Sequence, residues 1–124
     1  MAAVKFTFEE LKVYNKALDF IDMVYTISND FPNDEKFRIT SQFIRGATSI
    51  ALNIAEGSGD TNLQFNRFLQ IALNSVKECV VCARIARRQN FISIELENEL
   101  REKLEELSKM ITGLQKYLKT KTKD

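Results

Sequence analysis

Apolar residues recur along this chain in steps of three and four, the repeat of helices, and no strand is in evidence. Leu11, Tyr14, Leu18, Ile21, Val24 or Tyr25, and Ser28 mark one face, which Phe31-Pro32 forbids from continuing. Thr7 followed by Glu10 has the spacing of a capping box, with Phe6 and Leu11 placed as a hydrophobic staple. These signals predict a first helix over about 8–30. Asp34 and Glu35 suit a helix N-terminus, and Ile39, Phe43, Ala47, Ile50 and Ile54 then line the face of a second helix over about 35–56. Thr61 with Gln64 forms another capping box, opening a third helix over about 62–89. Ser93 caps a fourth over about 94–119, where Leu100, Leu104, Leu107, Ile111, Leu114 and Leu118 follow the rhythm of a bundle seam. The basic tail 120–124 has no core residue and is expected to fray. Short loops between four long helices predict an all-α fold, an antiparallel up-down-up-down four-helix bundle forming a single domain over 1–124.

The stretch SIALNIAEGSGD, residues 49–60, interrupts this pattern with two glycines. A phosphate loop would put glycine amides and a lysine at the start of the next helix. Here the lysine is absent and Asp60 would repel phosphate. The stretch therefore reads as a helix stop, with Gly57 as a left-handed C-cap and Gly59 giving room for the reversal.

Two faces ask for partners. On the third helix, twelve apolar or small residues from Phe65 to Ala86 span roughly 200° of a wheel drawn at about 100° per residue. Either this helix also packs against another subunit, making the protein a homo-oligomer, or it is deeply central in a squat bundle. The rest of its surface carries Lys77, Arg84 and Arg88 in one basic stripe, suited to tracking RNA or DNA phosphates or to pairing with the glutamates of the fourth helix. On the second helix Arg45, Ser49 and Glu56 share a flank with Asn53 close by, a polar set suited to fixing helix register or subunit orientation. Ala47, Ala51 and Ala55 form a smooth ridge opposite.

Composition narrows the chemistry. Eighteen basic and 17 acidic side chains leave a net charge of +1, so no global field announces a nucleic-acid or membrane partner. There is no histidine, which leaves the serines without a base and the six glutamates near the start of the fourth helix without the ligands of a di-metal site. Those glutamates read as a solvated face. Cys79 and Cys82 stand as a lone CVVC inside a helical pattern and read as buried apolar residues, not as a metal or redox pair. No cofactor, metal or catalytic residue is expected. With no apolar run near 18 residues and an early charged start, the expected location is cytoplasmic, without a membrane partner.

The runs FEELKVYNKALDFIDMVYTISNDFP, EKFRITSQFIRGATSIALNIAEGSGD and FNRFLQIALNSVKECV resemble the four-helix-bundle family named for 23S rRNA intervening sequences. The resemblance extends from about Phe8 to Cys82 and weakens in the fourth helix. It implies an up-down bundle assembled as a homopentameric ring. It also implies a relation to the accessory variability protein of diversity-generating retroelements, a basic pentamer that engages a reverse transcriptase and nucleic acid. Arg45, Asn53, Glu56 and Arg67 match the family motif residue by residue, and the resemblance implies no catalytic role for them. The stretch DTNLQFNRF departs from the basic pattern expected after EGSG and leaves Arg67 as the nearby cation. The expectation is a non-enzymatic, homo-oligomeric bundle with weak, sequence-independent RNA or DNA binding through Lys77, Arg84, Arg88 and Arg67. The alternative is a ring that serves as a scaffold for a protein partner.

Overall fold

The computed structural model describes residues 4–121, in which four α-helices form the bundle and no strand occurs among the described residues. They are α1 (Lys12–Ser28), α2 (Ile39–Gly57), α3 (Asn62–Arg88) and α4 (Ile94–Lys121). Helix α1 packs on α2, α2 on α3, α3 on α4, and α4 back on α1. The core lies between them, built on Phe20, Phe43, Ile50, Ile54, Leu69 and the leucines of α4. Each such side chain contributes roughly 1.5–3 kcal/mol by leaving water. No described helix is long and apolar enough to cross a membrane.

Helix α1 starts later than the spacing of Thr7 and Glu10 suggests. Residues Thr7–Glu10 form a 3₁₀ turn, and Leu11, at ψ 127°, separates it from the α-helix. A different cap forms, one residue earlier: Phe6 takes the N-cap place of Thr7, and Glu9 Oε1 accepts the Phe6 N–H at 2.8 Å. The Asn15 side-chain amide then donates to the carbonyls of Glu9 and Leu11. The buried stripe is displaced in the first turns, although Val24 and Ser28 of the expected stripe are buried. Val13, Ala17, Phe20, Val24 and Ile27 face the core, while Leu11, Tyr14 and Ile21 are half-buried and Leu18 is exposed. Both stripes have helical spacing; the structure selects the one that brings Phe20 against Phe43, 6.5 Å between ring centroids.

Helix α2 also starts late. Asn33–Glu35 form a second 3₁₀ turn after Pro32, and Arg38 has φ −121° and ψ −111°, outside the helical region. The first α2 hydrogen bond therefore runs from Gln42 N–H to Arg38 O. Helix α4 runs past its expected end through Thr120 and Lys121, with Thr120 Oγ1 donating to Tyr117 O and the Lys121 ammonium over the Tyr117 ring. The remainder of the tail, 122–124, lies outside the described residues.

The glycine pair divides its work differently from the C-cap reading. Gly57 is the last helical residue of α2, and a Cβ there would stand 2.7 Å from Phe68 Cβ and 3.2 Å from the Phe65 Cα. Its requirement is space. Gly59 carries the left-handed φ of 88° and has nothing within 4 Å of a Cβ. Along the same contact, Gly46 lets Cys79 Sγ approach to 3.1 Å of where a Cβ would stand, and Ala47 and Ala51 are buried.

Candidate nucleic-acid interface

The turn between α3 and α4 sets up the charged part of the molecule. Asn90 sits at φ 64°, Phe91 N–H donates to Ala86 O at 2.8 Å and Asn90 N–H to Arg87 O at 2.9 Å, the paired bonds of a Schellman ending. Ser93 then caps α4, its Oγ accepting the Leu96 N–H at 3.0 Å. These two local devices fold the first turns of α4 back onto the last turns of α3.

The reversal places Glu97 at 4% exposure between arginines of both helices. Arg84 Nε donates to Glu97 Oε2 at 2.6 Å, Arg87 Nε donates to Oε1 at 3.1 Å, and Arg101 Nη1 stands 3.8 Å from Oε2. The Arg84 hydrogen bond holds the carboxyl below the usual glutamate range; burial opposes this, and Arg87 reinforces it. The α4 N-terminus favours a negative charge at this position as well. Glu97 is thus not part of a solvated glutamate face.

Of the stripe on α3, Arg84 is tied to Glu97, whereas Lys77 and Arg88 are exposed and their side chains have no hydrogen bond or ion pair among the described residues. Lys77 lines an open groove between α3 and α4 that it shares with Arg101. Arg67 does not join the stripe: it lies about 80° around the helix from Lys77 and lines a shallow hollow with Gln64, Phe68 and Ile71. Arg87 and Arg101 are the members that the sequence reading missed. The available signal was Glu97 itself, which stands three residues before Leu100 and so continues the buried rhythm of α4.

The polar flank of α2 separates into two parts. Asn53 Nδ2 donates to Ser49 O and Oγ at 2.8 and 3.0 Å, and Ser75 Oγ of α3 donates to Ser49 Oγ at 2.8 Å. The Gln42 amide likewise reaches the Glu78 carboxylate across the seam. Arg45 and Glu56 are exposed and stay outside this set; Arg45 instead lines a separate hollow with Lys36, Phe37 and Ile44.

The wide apolar arc of α3 is mostly covered within one chain, because α2 and α4 pack on its two sides and bury Phe65, Leu69, Ala72, Val76, Cys79, Cys82, Ala83 and Ala86. What stays exposed is Ile71 of that arc, together with Leu63, Val81 and Ile85. Neither cysteine is an activated nucleophile. Both cysteines are buried and free, with desolvation pushing the Cys82 thiol up to about 11 and Cys79 higher still. No cluster of metal-binding side chains occurs among the described residues. The arrangement offers binding groups: guanidiniums, an ammonium and an exposed apolar strip.

A family model described as 23S rRNA-intervening sequence protein matches residues 9–113. A comparison with curated proteins found no significant match. Among solved structures, the chain is similar to a protein of unknown function from the S23 ribosomal protein family of Bacteroides thetaiotaomicron VPI-5482. The two share 25% identity and superpose with a TM-score of 0.77 over 84% of this chain and 98% of that one.

Proposed function

The chain belongs to the 23S rRNA-intervening sequence protein family, and on that premise we propose a cytoplasmic binding protein, not an enzyme. In this reading it is an antiparallel up-down-up-down bundle that self-associates through one side of α3 and meets RNA or DNA phosphates through another. The cross-helix pairs support the antiparallel sense: Gln42 with Glu78 and Ser49 with Ser75, then Asn66 with Gln115 and Arg84 with Glu97, each run in opposite chain directions.

The observation that carries self-association is the exposed strip of Leu63, Ile71, Val81 and Ile85, within about 80° of one another on the helix wheel. Leaving so many large apolar groups of one helix in water is costly, and covering them removes roughly 25 cal/mol per Å². The occupant proposed is further copies of this chain, in the homopentameric ring that the sequence resemblance implies. Lys77 and Arg88, repeated around such a ring, would give weak, sequence-independent phosphate contact by avidity, whereas Arg67, at the same wheel angle as Ile85 and beside Ile71, lies within the self-association strip. The partial neutralisation of Arg84 by Glu97 favours a second reading, a scaffold for a protein partner with no nucleic-acid contact.

The test is the mass in solution of the wild type and of a Val81→Glu, Ile85→Glu double variant. An oligomer that becomes a helical monomer on substitution supports the ring, and a wild type that is monomeric at micromolar concentrations overturns it. On the intact oligomer, Lys77→Glu with Arg88→Glu should weaken RNA binding and flatten its salt dependence. An unchanged salt slope transfers the function to the scaffold reading.

A further inference from the structure

Three guanidinium groups converge on one carboxylate at the α3–α4 junction. Among the described residues, Arg84, Arg87 and Arg101 come within ion-pair distance of Glu97 and of no other carboxylate. Arg84 and Arg87 both engage it through Nε, and their terminal nitrogens have no hydrogen-bond acceptor among the described residues. All three side chains remain between about a third and a half exposed. Mutual repulsion should splay three such groups apart. Glu97, almost fully buried, holds two of them by hydrogen bonds and keeps the set together.

We infer that Arg84, Arg87 and Arg101 form a binding site for a terminal phosphate group, with Glu97 as the positioning residue. The charge matches: three guanidiniums against one carboxylate leave two positive charges, and a phosphate monoester carries about −1.5 to −2 at neutral pH. The donor chemistry matches as well, since guanidinium forks bind phosphate oxygens in pairs. The neighbouring groove, about 470 Å³, leads from Arg101 and Lys77 over Val76 and Val80, and Glu102 and Glu105 also line it. Those carboxylates balance Lys77 and Arg101 within the groove, so the groove selects neither a neutral nor an anionic body behind the phosphate. The phosphate has two sources, a free small phosphate or the 5′ end of a nucleic-acid strand. The inference deepens the phosphate-contact reading above and rests on that reading for the second source.

Inorganic phosphate is titrated calorimetrically into the intact protein at constant ionic strength, followed by one short single-stranded RNA in 5′-phosphorylated and 5′-hydroxyl forms. Saturable phosphate binding is expected, weakened about tenfold in Arg101→Gln, the removal of one charge-assisted contact. Arg101 makes no hydrogen bond to Glu97, so this variant keeps the junction, and Lys116→Gln at the far end of α4 controls for a lost charge. Glu97→Gln separates positioning from simple charge: it adds positive potential, yet it should weaken phosphate because the arginines are released. Tighter binding in that variant overturns the positioning role. An equal, unsaturable phosphate response in wild type and Arg101→Gln overturns the site. If both RNAs bind equally and phosphate does not compete, the site fails while the strand reading stands. If phosphate binds and neither RNA does, the site stands and its ligand is a free phosphate compound.

Discussion

The two ends of α3 are held by different physics. At its N-terminal end, and along the seam toward α2, contact is made by absence of volume: Gly57 admits Phe65 and Phe68, Gly46 admits Cys79, and neutral hydroxyls and amides of Ser49, Asn53 and Ser75 complete the seam. At its C-terminal end, contact with α4 is made by charge, with Glu97 between arginines. The first kind of contact is intolerant of added atoms and, apart from the Glu78 carboxylate that accepts from Gln42, is made by uncharged groups. The second tolerates added atoms at its open surface and depends on one ionised carboxyl.

The largest expected effect tests the packed end. Gly57→Ala should lose roughly 2–3 kcal/mol in urea unfolding, because the new methyl meets backbone as well as ring atoms and α2 and α3 must separate. Gly59→Ala, strained only by its positive φ in open space, should lose about 1 kcal/mol. A larger loss at Gly59 than at Gly57 would reverse the assignment of space to one and torsion to the other.

Next comes the charged end. The Glu97 carboxyl is held below its ordinary range when folded, so the folded state binds fewer protons than the unfolded one as pH falls through that range. Its stabilisation is complete above the ordinary glutamate range and is lost as pH falls through the lowered value. Glu97→Gln should therefore cost about 1 kcal/mol at pH 7, a modest figure because the arginine partners are part-exposed, and the gap should close as pH falls through the lowered value. A gap that is constant with pH would mean that charge does not hold this junction.

The smallest effect sharpens the comparison of the two turns. Asn90 bears a left-handed φ, so Asn90→Gly should stabilise the protein by about 0.5 kcal/mol. Thermal unfolding of this variant beside Gly59→Ala compares the same torsion at both ends of α3. Destabilisation by glycine would show that the Asn90 side chain holds the turn by more than its torsion.

Parts of the fold were legible because their causes are local. Thr61 accepts the Gln64 N–H at 3.2 Å and Ser93 caps α4, both spaced three residues from their donors. The seam of α4 followed from its own rhythm, with Leu100, Leu104, Leu107, Ile111 and Leu118 buried. Thr7 misled for an equally local reason, since the cap forms one residue earlier, where Glu9 accepts the Phe6 N–H. Of the candidate site, the basic stripe was legible but its internal pairing was not: Arg84 and Glu97 are 13 residues apart, across a turn whose path depends on the left-handed Asn90.

The sequence by itself determined four helices, two of their caps and the face of α4, because hydrogen bonds and side-chain periodicity within a few residues act before the helices meet. Tertiary structure decided which of two stripes on α1 is buried, that Gly57 serves space while Gly59 serves torsion, and that one glutamate among six is withdrawn from water. Each of those depends on the surface that another helix presents. A carboxylate enters such a place only when guanidiniums from both helices arrive with it, and that meeting is a property of the packed helices, not of either segment alone.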